Sequence, residues 1–178
     1  MHSSFKKDRV EIIEEAKNVG VNQFIITGTN IHSSHMARDY ASKYPDTLFS
    51  TSGVHPHDAK TCNGHTINEL EKIADADCVV AIGECGLDYN RNFSPQDLQR
   101  KWFEAQVELA ETLDMPLFLH EREAHEDLYK ILKKHDEIAS KSVVHCFTGT
   151  KHEAQNYIDL GCYIGVTGWI CDMKRGRD

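Results

Sequence analysis

Four apolar runs in this chain each end in a residue able to hold a metal ion. Three are Cys78-Val-Val-Ala-Ile-Gly-Glu84, Pro116-Leu-Phe-Leu-His120 and Ser142-Val-Val-His145; the fourth is Leu48-Phe-Ser-Thr-Ser-Gly-Val-His55-Pro56-His57. Each run reads as a buried strand followed by a polar stretch with helical spacing. Strands alternating with helices imply a parallel sheet, which puts every strand's C-terminal end on one face. Glu84, His120 and His145 then converge although 36 and 25 positions separate them. One carboxylate and two imidazoles at a common mouth suit a divalent hydrolytic ion.

The rest of the chain fills in the alternation. Phe5 to Val19 has helical spacing with Gly20 as a stop, Gln23 to Thr27 is a strand, and Ser33 to Tyr44 a helix ending before Pro45. Leu48 to Val54 is the next strand, followed by a short helix near Ile67 to Ala74. Cys78 to Gly83 is a strand, and Gly86 to Phe93 a loop. Ser94-Pro95 opens a helix to about Leu113, with Ser94 as N-cap and Pro95 in the first turn. Strand Leu117 to Leu119, a helix over Ala124 to Lys134 and strand Ser142 to Cys146 follow. Thr150-Lys-His-Glu153 has capping-box spacing and starts a helix ending near Gly161, before strand Cys162 to Thr167. A polar tail, Lys174 to Asp178, closes the chain.

Six strands and six helices in 178 residues fall short of the roughly 250 residues of a full eightfold α/β barrel. The expected fold is therefore α/β, an incomplete (β/α)8 TIM-type barrel of six parallel strands in a single domain over residues 1–178. An open doubly wound sheet satisfies the same tally. In an incomplete barrel the strands at Gln23 and Cys162 would be unpaired edges, exposing Ile25, Ile164 and Val166 and inviting self-association.

Apolar content of 40% and charged content of 27% fit a globular protein, and no apolar run approaches the roughly 20 residues that cross a bilayer. The N-terminus has no apolar segment behind its lysines, so a signal peptide is not expected. The six cysteines lack CxxC spacing and sit mostly in or beside apolar runs, which reads as free thiols in a reducing cytoplasm. The net charge of −8 argues against a broad basic nucleic-acid surface. It leaves a phosphodiester substrate open, because bound divalent ions and a few local bases supply positive potential.

A carboxylate ending a run as apolar as that before Glu84 is costly unless paired or metal-bound. His120 and His145 taken singly fit a structural histidine equally well; their matched position favours ligation. Pro56 directs both imidazoles toward the rim: His55 could touch a substrate phosphate or shuttle protons, and His57 fits a solvated loop residue equally well. Period-two alternation turns Cys85 and Cys146 toward the helices as packing residues. The segment His120-Glu121-Arg-Glu-Ala-His125 imitates a zinc-protease motif, but its histidines are five apart, off one helical face.

Gly53-Val-His-Pro-His57, Ala81-Ile-Gly-Glu-Cys-Gly-Leu-Asp-Tyr89, Leu119-His120, Val144-His-Cys-Phe-Thr-Gly149 and Tyr163-Ile-Gly-Val-Thr-Gly-Trp169 resemble the TatD family of metal-dependent deoxyribonucleases. The resemblance runs in order over nearly the whole chain. It implies an amidohydrolase-like barrel with strands two to seven of eight present, and metal ligands Glu84, His120 and His145, with Glu84 able to bridge two ions. It implies that His55, Asp88 and Arg122 lie near the substrate phosphates. The family's first strand and its Thr-Asp-Ala-Pro aspartate, the expected base, fall outside this stretch; a chain without that aspartate is expected to bind metal loosely and turn over poorly. Glu121 departs from the common His-Cys-Arg-Asp pattern and adds negative charge beside the phosphate site.

The first functional expectation is a DNA phosphodiester hydrolase trimming 3′ ends of single strands, with Glu84 and His55 as catalytic residues and metal-activated water as nucleophile. Mg²⁺ is the expected ion, and Mn²⁺ or Zn²⁺ suit the same ligands. A small-molecule amidohydrolase keeps the metal and changes the substrate. An inactive barrel fragment, or one completed by pairing with a second chain, is the non-enzymatic alternative.

Overall fold

The computed structural model describes residues 3–5 and 7–173; the polar tail over 174–178 lies outside them. Six parallel strands pair in strict sequence order: β1 (Phe24–Ile26), β2 (Leu48–Ser52), β3 (Val79–Asp88), β4 (Leu117–Arg122), β5 (Val143–Val144) and β6 (Tyr163–Ile164). The sheet curls into a half-barrel with helices around it. No crossover skips a neighbour, which separates this fold from the doubly wound sheet, whose strand order reverses.

Among the described residues, seven α-helices follow or precede these strands: α1 (Arg9–Asn18), α2 (Ile31–Ala41), α3 (Thr66–Ala74), α4 (Gln96–Leu113), α5 (His125–Leu132), α6 (Asp136–Ala139) and α7 (Lys151–Asp159). α7 starts as its sequence dictates. The Thr150 hydroxyl accepts from the Glu153 amide while the Glu153 carboxylate accepts from the Thr150 amide. α2 begins earlier than its apolar pattern suggests, because Asn30 and Ser33 form the same reciprocal cap. α4 begins at Gln96 with no side-chain cap. The Ser94 hydroxyl is committed elsewhere: it donates to the His57 carbonyl and accepts from the Lys60 amide, pinning the loop after β2.

β3 corrects the expected loop at Gly86. Its pairing with β4 shifts register between Gly83 and Cys85, then continues through Gly86↔His120 and Leu87↔Glu121 to Asp88↔Arg122. Burial explains the extension: Cys85 and Leu87 are inaccessible and lie in the core with Ile82, Leu117, Leu119 and Phe103. Cys85 is thus a packing residue as expected, while Cys146 is half-buried beside Thr167.

β1 and β6 have one strand neighbour each and do not pair with one another. Ile25 and Val166 are 49% and 68% exposed, as unpaired edges require; Ile164 departs from that expectation by packing half-buried against the core. No described helix is long and apolar enough to cross a membrane.

Candidate metal centre

Close backbone packing brings the C-terminal ends of β2, β3 and β4 together. A Cβ on Gly53 would meet the Gly83 carbonyl carbon at 2.3 Å, and one on Gly83, at φ +144°, would meet the Phe118 oxygen at 2.3 Å. Only glycine fits either position. The loop after β1 ties the same level, the Gly28 carbonyl accepting from the Glu84 amide at 2.7 Å and the Thr29 carbonyl from the His55 amide at 2.9 Å.

From the outside, α4 holds two of these segments with a pair of buried glutamines. The Gln106 amide accepts from the Val54 N–H at 2.7 Å and donates to the Val54 carbonyl at 3.1 Å. Gln99 does the same for Asp88, at 2.8 and 3.1 Å. The two stand two helical turns apart on one face, so a single rigid helix sets the spacing between the His55 and Asp88 segments.

Within this frame, three imidazoles meet one carboxylate oxygen. Glu84 Oε1 lies 2.7 Å from His145 Nε2, 3.1 Å from His120 Nδ1 and 3.4 Å from His55 Nε2. Glu84, His120 and His145 therefore do converge, from three strand ends. Burial alone would raise the Glu84 carboxyl; the surrounding His120, His145 and His55 rings outweigh it and hold it well below the usual carboxylate range. A buried anion ringed by imidazole nitrogens fits a divalent ion chemically, since one carboxylate and neutral imidazoles are ordinary ligands for such ions. His55, Glu84 and His120 can place one ligand atom each within 4.8 Å of one another.

The hydrogen on His55 separates it from the other two histidines. The His57 amide donates to His55 Nδ1 at 3.1 Å, so that nitrogen carries no hydrogen. Burial also lowers the His55 pKa despite the neighbouring Glu84, which favours the neutral ring. Its one hydrogen is then on Nε2, facing the mouth as a donor.

Asp88 sits behind these rings, its Oδ2 lying 2.7 Å from His57 Nε2 and 3.3 Å from His120 Nε2. Burial raises its carboxyl, and the Arg91 amide and the histidines more than compensate, leaving it below the usual range. His57 is thus part of the cluster and not a solvated loop residue, with its ring edge-on to Phe93. Arg122 ends β4 exposed on the rim. Glu121 is half-buried and accepts from the Ala124 amide, and burial lifts its pKa.

The family described as TatD related DNase matches residues 1–178. The chain belongs to this family. A Pectobacterium atrosepticum protein named 3′-5′ ssDNA/RNA exonuclease TatD is 48% identical over 176 residues, which is 99% of this chain and 68% of the relative. The Escherichia fergusonii protein of the same name is 47% identical over 99% of the chain and 67% of its own length. The crystal structure of a TatD homologue from Escherichia coli superposes with a TM-score of 0.89 at 28% identity, covering 97% of this chain and 67% of that one. A TatD-family hydrolase from Entamoeba histolytica has a TM-score of 0.81 at 32% identity, covering 91% and 57%.

Of the site, Glu84, His120, His145 and His55 stand out in sequence because each ends an apolar run. Gln99 and Gln106 do not; two glutamines at helical spacing on an otherwise apolar face were the available signal.

Proposed function

We propose that this TatD-family chain hydrolyses phosphodiester bonds of single-stranded nucleic acid, DNA foremost, working from the 3′ end with a divalent ion. The convergence of three imidazoles on one oxygen of buried Glu84 supports this reading, and relatives named 3′-5′ ssDNA/RNA exonuclease supply its substrate side. Glu84, His120 and His145 are the residues that would hold the ion. Such an ion supplies Lewis acidity to a phosphoryl oxygen and lowers the pKa of a coordinated water.

The remaining roles belong to the chain's own groups. His55 presents its Nε2–H to a phosphate oxygen, and exposed Arg122 takes up backbone charge at the rim. With a net charge of −8, attraction for the substrate is local to this mouth. Cavities of about 780 Å³ beside β1 and about 560 Å³ beside Asp58 and His65 are both lined without Glu84. Mg²⁺ is the ion of this reading; two nitrogen donors also admit Mn²⁺ and Zn²⁺. Six free thiols fit a reducing cytoplasm, and the exposed edges of β1 and β6 favour self-association.

The test is a 5′-labelled single-stranded oligonucleotide incubated with each ion, with and without EDTA. Stepwise shortening from the 3′ end that EDTA stops is the expected outcome. No cleavage with any ion, alongside hydrolysis of small amides, would replace the nuclease with the small-molecule reading.

A further inference from the structure

Asp88 is 1% exposed and every atom of its polar inventory is engaged. Its Oδ1 accepts from the Arg91 amide at 2.7 Å, while Oδ2 faces His57 Nε2 at 2.7 Å and His120 Nε2 at 3.3 Å. Its backbone N–H and carbonyl are both taken by Gln99, which is itself 1% exposed and also donates to the Ser94 carbonyl at 2.8 Å. A carboxylate locked in this way has no N–H to offer a phosphate and would repel one.

We infer that Asp88 is a positioning residue, which turns the His120 ring so that Nε2–H points to the carboxylate and Nδ1 is left facing Glu84. The inference rests on the metal-site reading above and gives Asp88 a different part from contact with substrate. Asp88 and Glu84 are both acceptors when ionised, and a neutral His120 has one ring hydrogen to place between them. Glu84 Oε1 already faces the Nε2 atoms of His145 and His55, at 2.7 and 3.4 Å, so the His120 hydrogen goes to Nε2 and Asp88, and the Nδ1 lone pair stays on the side of Glu84, 3.1 Å away. A ligating histidine whose second nitrogen donates to a carboxylate is fixed in both tautomer and ring orientation. His57 Nε2 faces the same oxygen from the rim, at 2.7 Å. Gln99 makes the arrangement rigid, because it holds the Asp88 backbone from both sides.

The decisive variant is Asp88→Asn, which keeps the shape and adds a group able to donate. Calorimetry with Zn²⁺ should show affinity weakened by about 10–100-fold. The oligonucleotide KM at saturating Zn²⁺ should stay near that of the parent chain. Nitrogen-15 NMR of the parent, taken with and without Zn²⁺, should find a hydrogen on His120 Nε2 in both states, and this signal should move in the variant. Unchanged Zn²⁺ affinity with a raised KM would return Asp88 to the substrate. A bare Nε2 in the parent chain would overturn the inference even if Asp88→Asn failed to fold. Zn²⁺ binding undiminished in His120→Ala would instead remove the metal-site reading, with the Nε2 hydrogen still deciding what Asp88 does.

Discussion

The middle of the sheet and its two flanks are built differently. β3 is ten residues long and buried at nine of them, whereas β1 has three residues, none fully buried, and β5 and β6 have two each. α4 packs Phe103, Val107 and Ala110 against β3, while α1 buries no side chain completely. The candidate metal centre spans this divide. His55, Glu84, Asp88 and His120 stand on the middle, braced by Gln99 and Gln106. His145 follows the two-residue β5; its backbone N–H donates to the Leu119 carbonyl, and its ring stacks on Phe118 with ring centroids 4.5 Å apart. A site can therefore be rigid in most of its ligands and lightly held in one.

The largest effect separates chemistry from packing within the middle. His120→Ala should remove EDTA-sensitive cleavage, by roughly a thousandfold or more, since a lost ligand costs at least what a lost transition-state donor does. The far-ultraviolet spectrum and unfolding midpoint should change little, because the ring lines the mouth and adds little to the core. Cleavage unaltered in this variant would take His120 out of the mechanism.

Next comes stability across the divide. Leu119→Ala, at a fully buried central position, should cost about 2–5 kcal/mol in urea unfolding. Ile25→Ala, at a position 49% exposed on the β1 edge, should cost under about 1 kcal/mol. Equal losses would mean that something covers the β1 edge in solution, and light scattering over a dilution series would then show a larger mass.

A smaller effect tests the lightly held ligand. Phe118→Ala removes the surface on which the His145 ring rests. Aromatic stacking of this kind is worth about 0.5–1.5 kcal/mol, so Zn²⁺ affinity should fall by roughly three- to tenfold. Calorimetry showing no change would make the Leu119 bond alone sufficient to hold His145.

The same divide marks what the sequence discloses. Glu84, His120 and His145 are legible because a polar residue closing an apolar strand in a parallel sheet has only one face to occupy. The length of β3 is not, because it depends on a register shift with β4 that no local pattern records. Ser94 has the form of an N-cap, yet the His57 carbonyl claims its hydroxyl. His57 reads equally as a solvated loop residue or a site residue until Asp88, 31 positions away, supplies its partner. Gln106 reaches Val54 across 52 positions. Long-range polar pairs of this kind leave no periodic trace, and at the flanks the strands shorten because few partners reward their extension.

The smallest effect is in acid, and its origin lies in the middle. Burial lowers the His55 pKa despite the opposing pull of Glu84, so the folded chain favours the neutral ring. The contribution to stability is full above the unfolded histidine value of about 6.5 and is lost as the pH falls below it through the folded value. Glu84 is also depressed, but its contribution persists down to the ordinary carboxylate value of about 4.3 and fades only below it. The two windows are therefore separate. Exposed flank pairs such as Lys17–Glu14 are screened by water and add little in either window. His55→Gln keeps an acceptor for the His57 amide and cannot titrate. Between about pH 7 and pH 5 the parent should lose more stability than this variant, and the two curves should run parallel again until carboxylates protonate. Parallel urea midpoints across the whole range would show that the His55 ring takes up its proton in the folded chain at no cost, and would place the acid sensitivity of the fold outside its central strands.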